Sequence, residues 1–225
     1  MIAIPVKDKG LLARAEKFSE FRDECKSYLT DVDMNYDKFT IVSHDSYIGY
    51  ISEAVIRDYL SANLPSSFKV KSWEECCDME SIYKAVQEKD YSKAEIVKEY
   101  FYDKWDIVIE TPKRSIHIDV KTALTKLEPK PNWDFLYPVV QAKKEGKDYT
   151  ILAYCVYEAP DKLLIRIVDV IGYLDNEKIK HCRLIRKGWY TSHHTKSQAD
   201  NYETLLGRDY QELDSLILEL KKELK

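Results

Sequence analysis

Glycine and proline are scarce, six and seven among 225 residues. That excludes collagen-like and low-complexity chains, and no Pro/Gly/Ser stretch is long enough to serve as a linker between domains. A disulfide framework is also missing. The five cysteines, at positions 25, 76, 77, 155 and 182, are odd in number and lack C-x-x-C spacing, so free thiols in a reducing cytoplasm are expected. Long apolar runs are absent. The longest, Tyr149 to Tyr157, is about half of the ~18 residues a membrane-spanning helix needs, and the opening MIAIPVKDKG meets Lys7 and Asp8 too early for a secretory signal. No membrane partner is expected. An excess of positive charge is lacking too: the net charge is −4, which argues against coating nucleic acid through bulk charge and leaves open a local basic face.

What is present suffices for a core, with 44% hydrophobic and 33% charged residues. One domain over 1–225 is the natural expectation at this length. Apolar side chains at Leu11, Leu12, Ala15, Phe18, Phe21, Cys25 and Leu29 recur at helical spacing. A second helix is read in SHDSYIGYISEAVIRDYLSANLP, capped by Asp45 or Ser46 and stopped before Pro65. Residues 73–101 predict two helices with a break at 90–92.

The texture then changes to period two. WDIVIE, TPKR and SIHIDVK read as strand, turn and strand. A helix from Trp133 to Glu145, ended by Gly146, is expected next, then strands YTILAYCVY and KLLIRIVDVIGYL around a turn at Pro160. Beyond Gly172 the chain reads as a basic loop region, closed by an amphipathic helix through Leu213, Leu216, Ile217, Leu220 and Leu224. The class is α/β, or α+β, with a small mixed sheet flanked by helices. Its core is expected at 45–175, with 1–44 a helical addition and 176–225 a basic loop plus helix. The strand after the 133–145 helix is expected to join the hairpin in parallel.

With Thr111 to Arg114 as the turn, Asp106 lies opposite Asp119. Directly opposed side chains share a face, and His117, Asp119 and Lys121 then point one way while Ile116, Ile118 and Val120 point the other. Two such carboxylates near an apolar sheet repel each other and need a cation. Lys121 supplies part of the compensation. Hard oxygen ligands on a short hairpin suit Mg²⁺ for the rest.

Asp106 followed across the turn by Asp119-Val120-Lys121 resembles the PD-(D/E)XK nuclease superfamily, the fold of many restriction endonucleases, with Trp105 in place of the motif's proline. The resemblance covers about Tyr47 to Tyr173. It implies a restriction endonuclease-like core in which Asp106, Asp119 and the Val120 backbone carbonyl ligate Mg²⁺, or Mn²⁺ as a substitute. Lys121 positions the attacking water, and Glu53 on the preceding helix completes the catalytic set as a further metal ligand. The implied activity is DNA phosphodiester hydrolysis, most simply by a type II restriction endonuclease acting as a homodimer on double-stranded DNA, since one site per subunit must act twice to cut a duplex. A repair or junction-resolving nuclease is the nearest alternative, and a non-catalytic DNA-binding protein of the same fold is another.

Three other features stand out. Gln141 resembles the glutamine of a Q-x-x-x-Y pattern carried by RecB-like nucleases, but Glu145 stands where its tyrosine would be, so packing or surface is the expectation. Lys180, Arg183, Arg186, Lys187 and Lys196, with Trp189 and Tyr190, form a candidate DNA-binding segment. Cys76, Cys77, His193 and His194 lack any recognised zinc spacing.

Overall fold

The computed structural model describes residues 1–33, 43–158, 161 and 163–222. Its centre is a six-stranded mixed sheet of β1 (Ile2–Pro5), β2 (Lys69–Ser72), β3 (Ile107–Glu110), β4 (Ser115–Thr125), β6 (Tyr149–Tyr157) and β7 (Ile165–Asp175), in the order β1-β7-β6-β4-β3-β2. β2, β3 and β4 form an antiparallel meander, and β6 lies parallel to β4.

The hairpin has the expected register as far as Ile107, but Asp106 lies outside the ladder, its amide bonded to the Ile118 carbonyl instead of standing paired with Asp119. Ile107 pairs with Ile118 and Glu110 with Ser115, and the Thr111 amide closes the turn on the Arg114 carbonyl. The parallel joining of β6 to β4 also agrees with expectation. Every residue of β6 is buried, because both faces of the sheet are covered there; an unbroken apolar run is the pattern such a central strand needs.

One face packs against α1 (Lys9–Val32), α2 (Ser43–Asn63) and α8 (Leu213–Lys222). Ile51, Ile56, Leu60, Ile107, Ile118, Ile151 and Leu216 form its interior. The Asp8 carboxylate accepts the Gly10 amide and so caps α1. α2 starts at Ser43, earlier than the sequence pattern indicates, which puts Asp45 in its first turn rather than at its cap. The 73–101 stretch forms α3 (Met79–Glu88) and α4 (Ala94–Phe101), separated at 89–93, a gap that contains the expected break at 90–92. Their apolar sides meet the far half of α1 in a second cluster around Phe21, Leu29, Trp73, Val97 and Tyr100.

The other face carries a three-stranded sheet of β5 (Asp134–Pro138), β8 (Arg183–Ile185) and β9 (Asn201–Leu205), in the order β5-β9-β8. This corrects two expectations. The 133–145 helix is replaced by β5 and one short helical turn, α5 (Val139–Ala142). The 176–225 stretch is no simple loop before α8: it holds α6 (Asn176–Ile179), β8, β9 and α7 (Leu206–Asp209). β5 pairs with β9 from Asp134↔Leu205 to Pro138↔Asn201, and a partner so distant in sequence overrides local helical preference. The 1–44 stretch is likewise not purely helical, since β1 pairs with β7 at the edge of the main sheet. Leu224 and the Pro160 turn lie outside the described residues.

Gly172 marks a close approach. Its φ is +153°, and a Cβ there would stand 2.1 Å from the Gln211 carbonyl oxygen, so only glycine lets the 211 segment lie against β7. Among the described residues no helix is long and apolar enough to cross a membrane.

Candidate active site

β3 begins at Ile107 while β4 runs on to Thr125. Beyond Ile118 the β3 side of β4 is therefore open, and Asp106 sits where the two strands diverge. Its amide still reaches the Ile118 carbonyl at 2.9 Å, and its carboxylate accepts the Val120 amide. The amide and carbonyl of one strand residue point to the same side, so the Val120 carbonyl faces this opening too.

A cleft of about 380 Å³ lies over that open edge. Asp106, Val120, Lys121 and Thr122 form its floor, Glu53 and Gly49 of α2 one wall, and Gln141 of α5 another. The sequence-derived residues Glu53, Asp106 and Lys121 thus meet in one place. Gln141 also lines this cleft.

Asp119 lies one layer down, 3% exposed. Lys121 approaches its Oδ2 at 2.8 Å, the Tyr137 hydroxyl donates to the same oxygen at 3.0 Å, and the Lys147 ammonium takes Oδ1. Burial alone would raise the Asp119 pKa, but the Lys121 and Lys147 charges overcome it and hold the group down at about 2. Burial would also strip Lys121 of its proton; the neighbouring Asp119 and Asp106 charges reverse that and raise its pKa.

Asp106 is in the opposite condition. Burial first, and the Asp119 charge second, push it up to about 7. Burial and the Asp106 charge also push the Glu53 carboxyl well above its ordinary value. Asp119 is thus a fully compensated anion, while Asp106 and Glu53 are carboxyls short of positive charge.

The donors facing the cleft, Asp106, Glu53 and the Val120 carbonyl, are hard oxygens, a set that fits Mg²⁺ or Mn²⁺ and no soft metal. Asp119 joins such a set only by exchanging one of its present partners. Among the described residues no three His, Cys, Asp or Glu side chains form a ready metal-ligating group.

Sequence reasoning missed Lys147 and Tyr137, because nothing in local spacing links either to Asp119. His117 is a neighbour only: its ring stacks on Trp105 at 4.0 Å between centroids, and its amide donates to Asp148. In the basic segment, Lys180 pairs with Glu177, Arg183 with Glu203 and Arg186 with Asp200. Much of the charge concentrated there is therefore answered within the chain. Trp189 and Tyr190 are both 59% exposed.

A scan against protein-family models, a search of curated proteins and a search of solved structures each return no match.

Proposed function

We propose that the chain is a Mg²⁺-dependent endonuclease that hydrolyses DNA phosphodiester bonds, with the role of a type II restriction enzyme acting as a homodimer on duplex DNA. The observation that carries this reading is the meeting of Asp106, Lys121 and Glu53 in one cleft at the open edge of β4. The antiparallel strands β2, β3 and β4 followed by the parallel β6 and the hairpin ladder that ends at Ile107↔Ile118 beside Asp106 support it further. Its PD-(D/E)XK character rests on these residues alone.

A bound Mg²⁺ supplies Lewis acidity and lowers the pKa of a coordinated water. Asp106, Glu53 and the Val120 carbonyl are the residues that would hold such an ion. Lys121, kept charged by Asp119, orients the attacking water or answers negative charge developing on the phosphate. Asp119, anchored by Lys147 and Tyr137, fixes the direction in which Lys121 extends. Gln141 stands on the opposite wall as a neutral hydrogen-bonding group for the phosphate or water.

The engagement of both Asp119 oxygens by lysine and tyrosine favours one rival, a DNA-binding protein of the same architecture without catalysis. Supercoiled plasmid separates the two. Nicking or linearisation that needs Mg²⁺ or Mn²⁺ and stops with EDTA supports the nuclease; duplex binding without strand cleavage in either metal supports the rival.

A further inference from the structure

Two cations that line the cleft, Arg22 and Lys144, are left unused by the proposed chemistry, and Arg22 is the buried one. Arg22 of α1 lines the cleft wall together with Phe18, Tyr100 and Asp103. Its residue exposure is only 8%, yet none of its donors makes a short bond. Nη1 reaches the Tyr100 carbonyl at 3.4 Å, Nη2 stands 3.6 Å from the Asp103 carboxylate, and Nε, buried, has no hydrogen-bond partner. The guanidinium is held by ring faces instead, 4.7 Å from the Phe101 centroid and 5.7 Å from that of Tyr100.

A guanidinium serving as a structural counterion is ordinarily locked by a bidentate carboxylate at about 2.7 to 2.9 Å. Here the plane lies against aromatic rings, the Tyr100 and Asp103 contacts are long, and Nε has no partner; arginine recognises tetrahedral oxyanions from such a stacked plane. Thr122 adds a second unpartnered group on the same cleft, a buried Oγ1 without a hydrogen bond. The acidic side chains of the cleft do not attract an anion, so the anionic ligand must lodge where Arg22 outweighs them.

We propose that Arg22 forms a phosphate subsite on the cleft wall, gripping a second phosphate of the nucleic-acid strand whose scissile phosphate lies over Asp106 and Lys121. This rests on the reading that nucleic acid enters this cleft. The phosphate is either a backbone diester next to the cut or a terminal 5′-monophosphate, and both present the same oxygens to the fork.

The test uses the full chain and duplex oligonucleotides bound in Ca²⁺, measured by fluorescence anisotropy. One set carries a single methylphosphonate at successive linkages; the other carries a 5′-phosphate or a 5′-hydroxyl. Wild type is expected to lose about 10- to 100-fold in affinity at one modification, the size of a lost charge-assisted contact. Arg22→Gln should show that loss on unmodified DNA and no further loss from the same modification. Arg22→Lys, which keeps the charge and the packing, should fall between. Loss tied to the 5′ end identifies a terminal phosphate, and loss at an internal linkage identifies a backbone one.

Wild type indifferent to every modification overturns the subsite. So do losses from Arg22→Lys and from the modification that simply multiply, because a merely structural arginine would act independently of any one phosphate. Position-specific binding without strand cleavage in Mg²⁺ leaves the Arg22 subsite standing and removes the nuclease reading. Cleavage with multiplying losses does the reverse.

Discussion

Lys147 and Asp119 form a buried ion pair, with their side chains 1% and 4% exposed. Gly146, at φ +83°, turns the chain just before Lys147 and delivers it under β4 as β6 begins. The pair is not isolated: Lys121 and Tyr137 share the other carboxylate oxygen. Asp119 is therefore the fixed point from which Lys121 extends toward the cleft, and removal of either end of the pair strands a charge without solvent.

Lys147→Met tests that role. Removing one partner of a buried pair typically costs about 3 to 5 kcal/mol, moderated here because Lys121 still faces the carboxylate. Chemical denaturation is expected to show a loss in that range, whereas a change below about 1 kcal/mol would mean that the pair contributes little. Asp119→Asn should be milder than Asp119→Ala, since the amide retains an acceptor for the Tyr137 hydroxyl.

Lys121→Ala addresses chemistry rather than stability. Its side chain lines the cleft and is 22% exposed, so truncation should leave duplex binding within a few-fold of wild type. Cleavage should fall at least ~10²-fold, the scale of losing one electrostatic stabiliser of the transition state. Turnover close to wild type would contradict the assignment of Lys121.

For the basic segment the internal ion pairs decide which residues are worth changing. Lys187 and Lys196 carry no ion pair among the described residues, unlike Arg183 and Arg186. Lys187→Ala with Lys196→Ala should lower the slope of log affinity against log salt by about 2 if both touch phosphates. Arg183→Ala should mainly cost stability, because it uncovers the buried Glu203. An unchanged slope in the double variant would remove this segment from the DNA contact.

Glu203 offers a pH test of the small sheet. The carboxylate is 3% exposed and accepts the Ser192 amide and hydroxyl and the Arg183 guanidinium. Burial alone would raise its pKa; these donors prevail and lower it. A carboxyl depressed in the folded state contributes stability above its unfolded value, about 4.3, and loses it as pH falls through the folded value. Wild type should therefore exceed Glu203→Gln in melting temperature at pH 7, and the gap should close as pH drops below about 4. A gap independent of pH would show that the ionised form is not what holds the 183–192 segment.

The cleft residues Glu53, Asp106 and Lys121 were legible because each lies in a segment with a clear period, one helical and two extended, joined by a turn whose residues set the register. A four-residue turn leaves the hairpin few alternatives, so the pairing from Glu110↔Ser115 to Ile107↔Ile118 follows from chain order, whereas Asp106 lies just past that ladder. Alternation likewise assigned Ile116, Ile118 and Val120 to the buried face, where α2 packs on them. The helices of 9–32 and 79–101 were readable for the same local reason.

Long-range pairing decided the rest. Residues 133–145 carry apolar groups at spacings that suit a helix or a strand, and it is β9, over sixty residues later, that makes 134–138 extended. β1 and β2 are too short to announce themselves, and each exists because a longer strand offers its edge. Lys147, Tyr137 and Arg22 reach the cleft or its floor from segments with no sequence relation to the hairpin. A local period records which face of an element is apolar. Which distant charge ends beneath a given carboxylate depends on how the elements pack, and that information exists only in the folded chain.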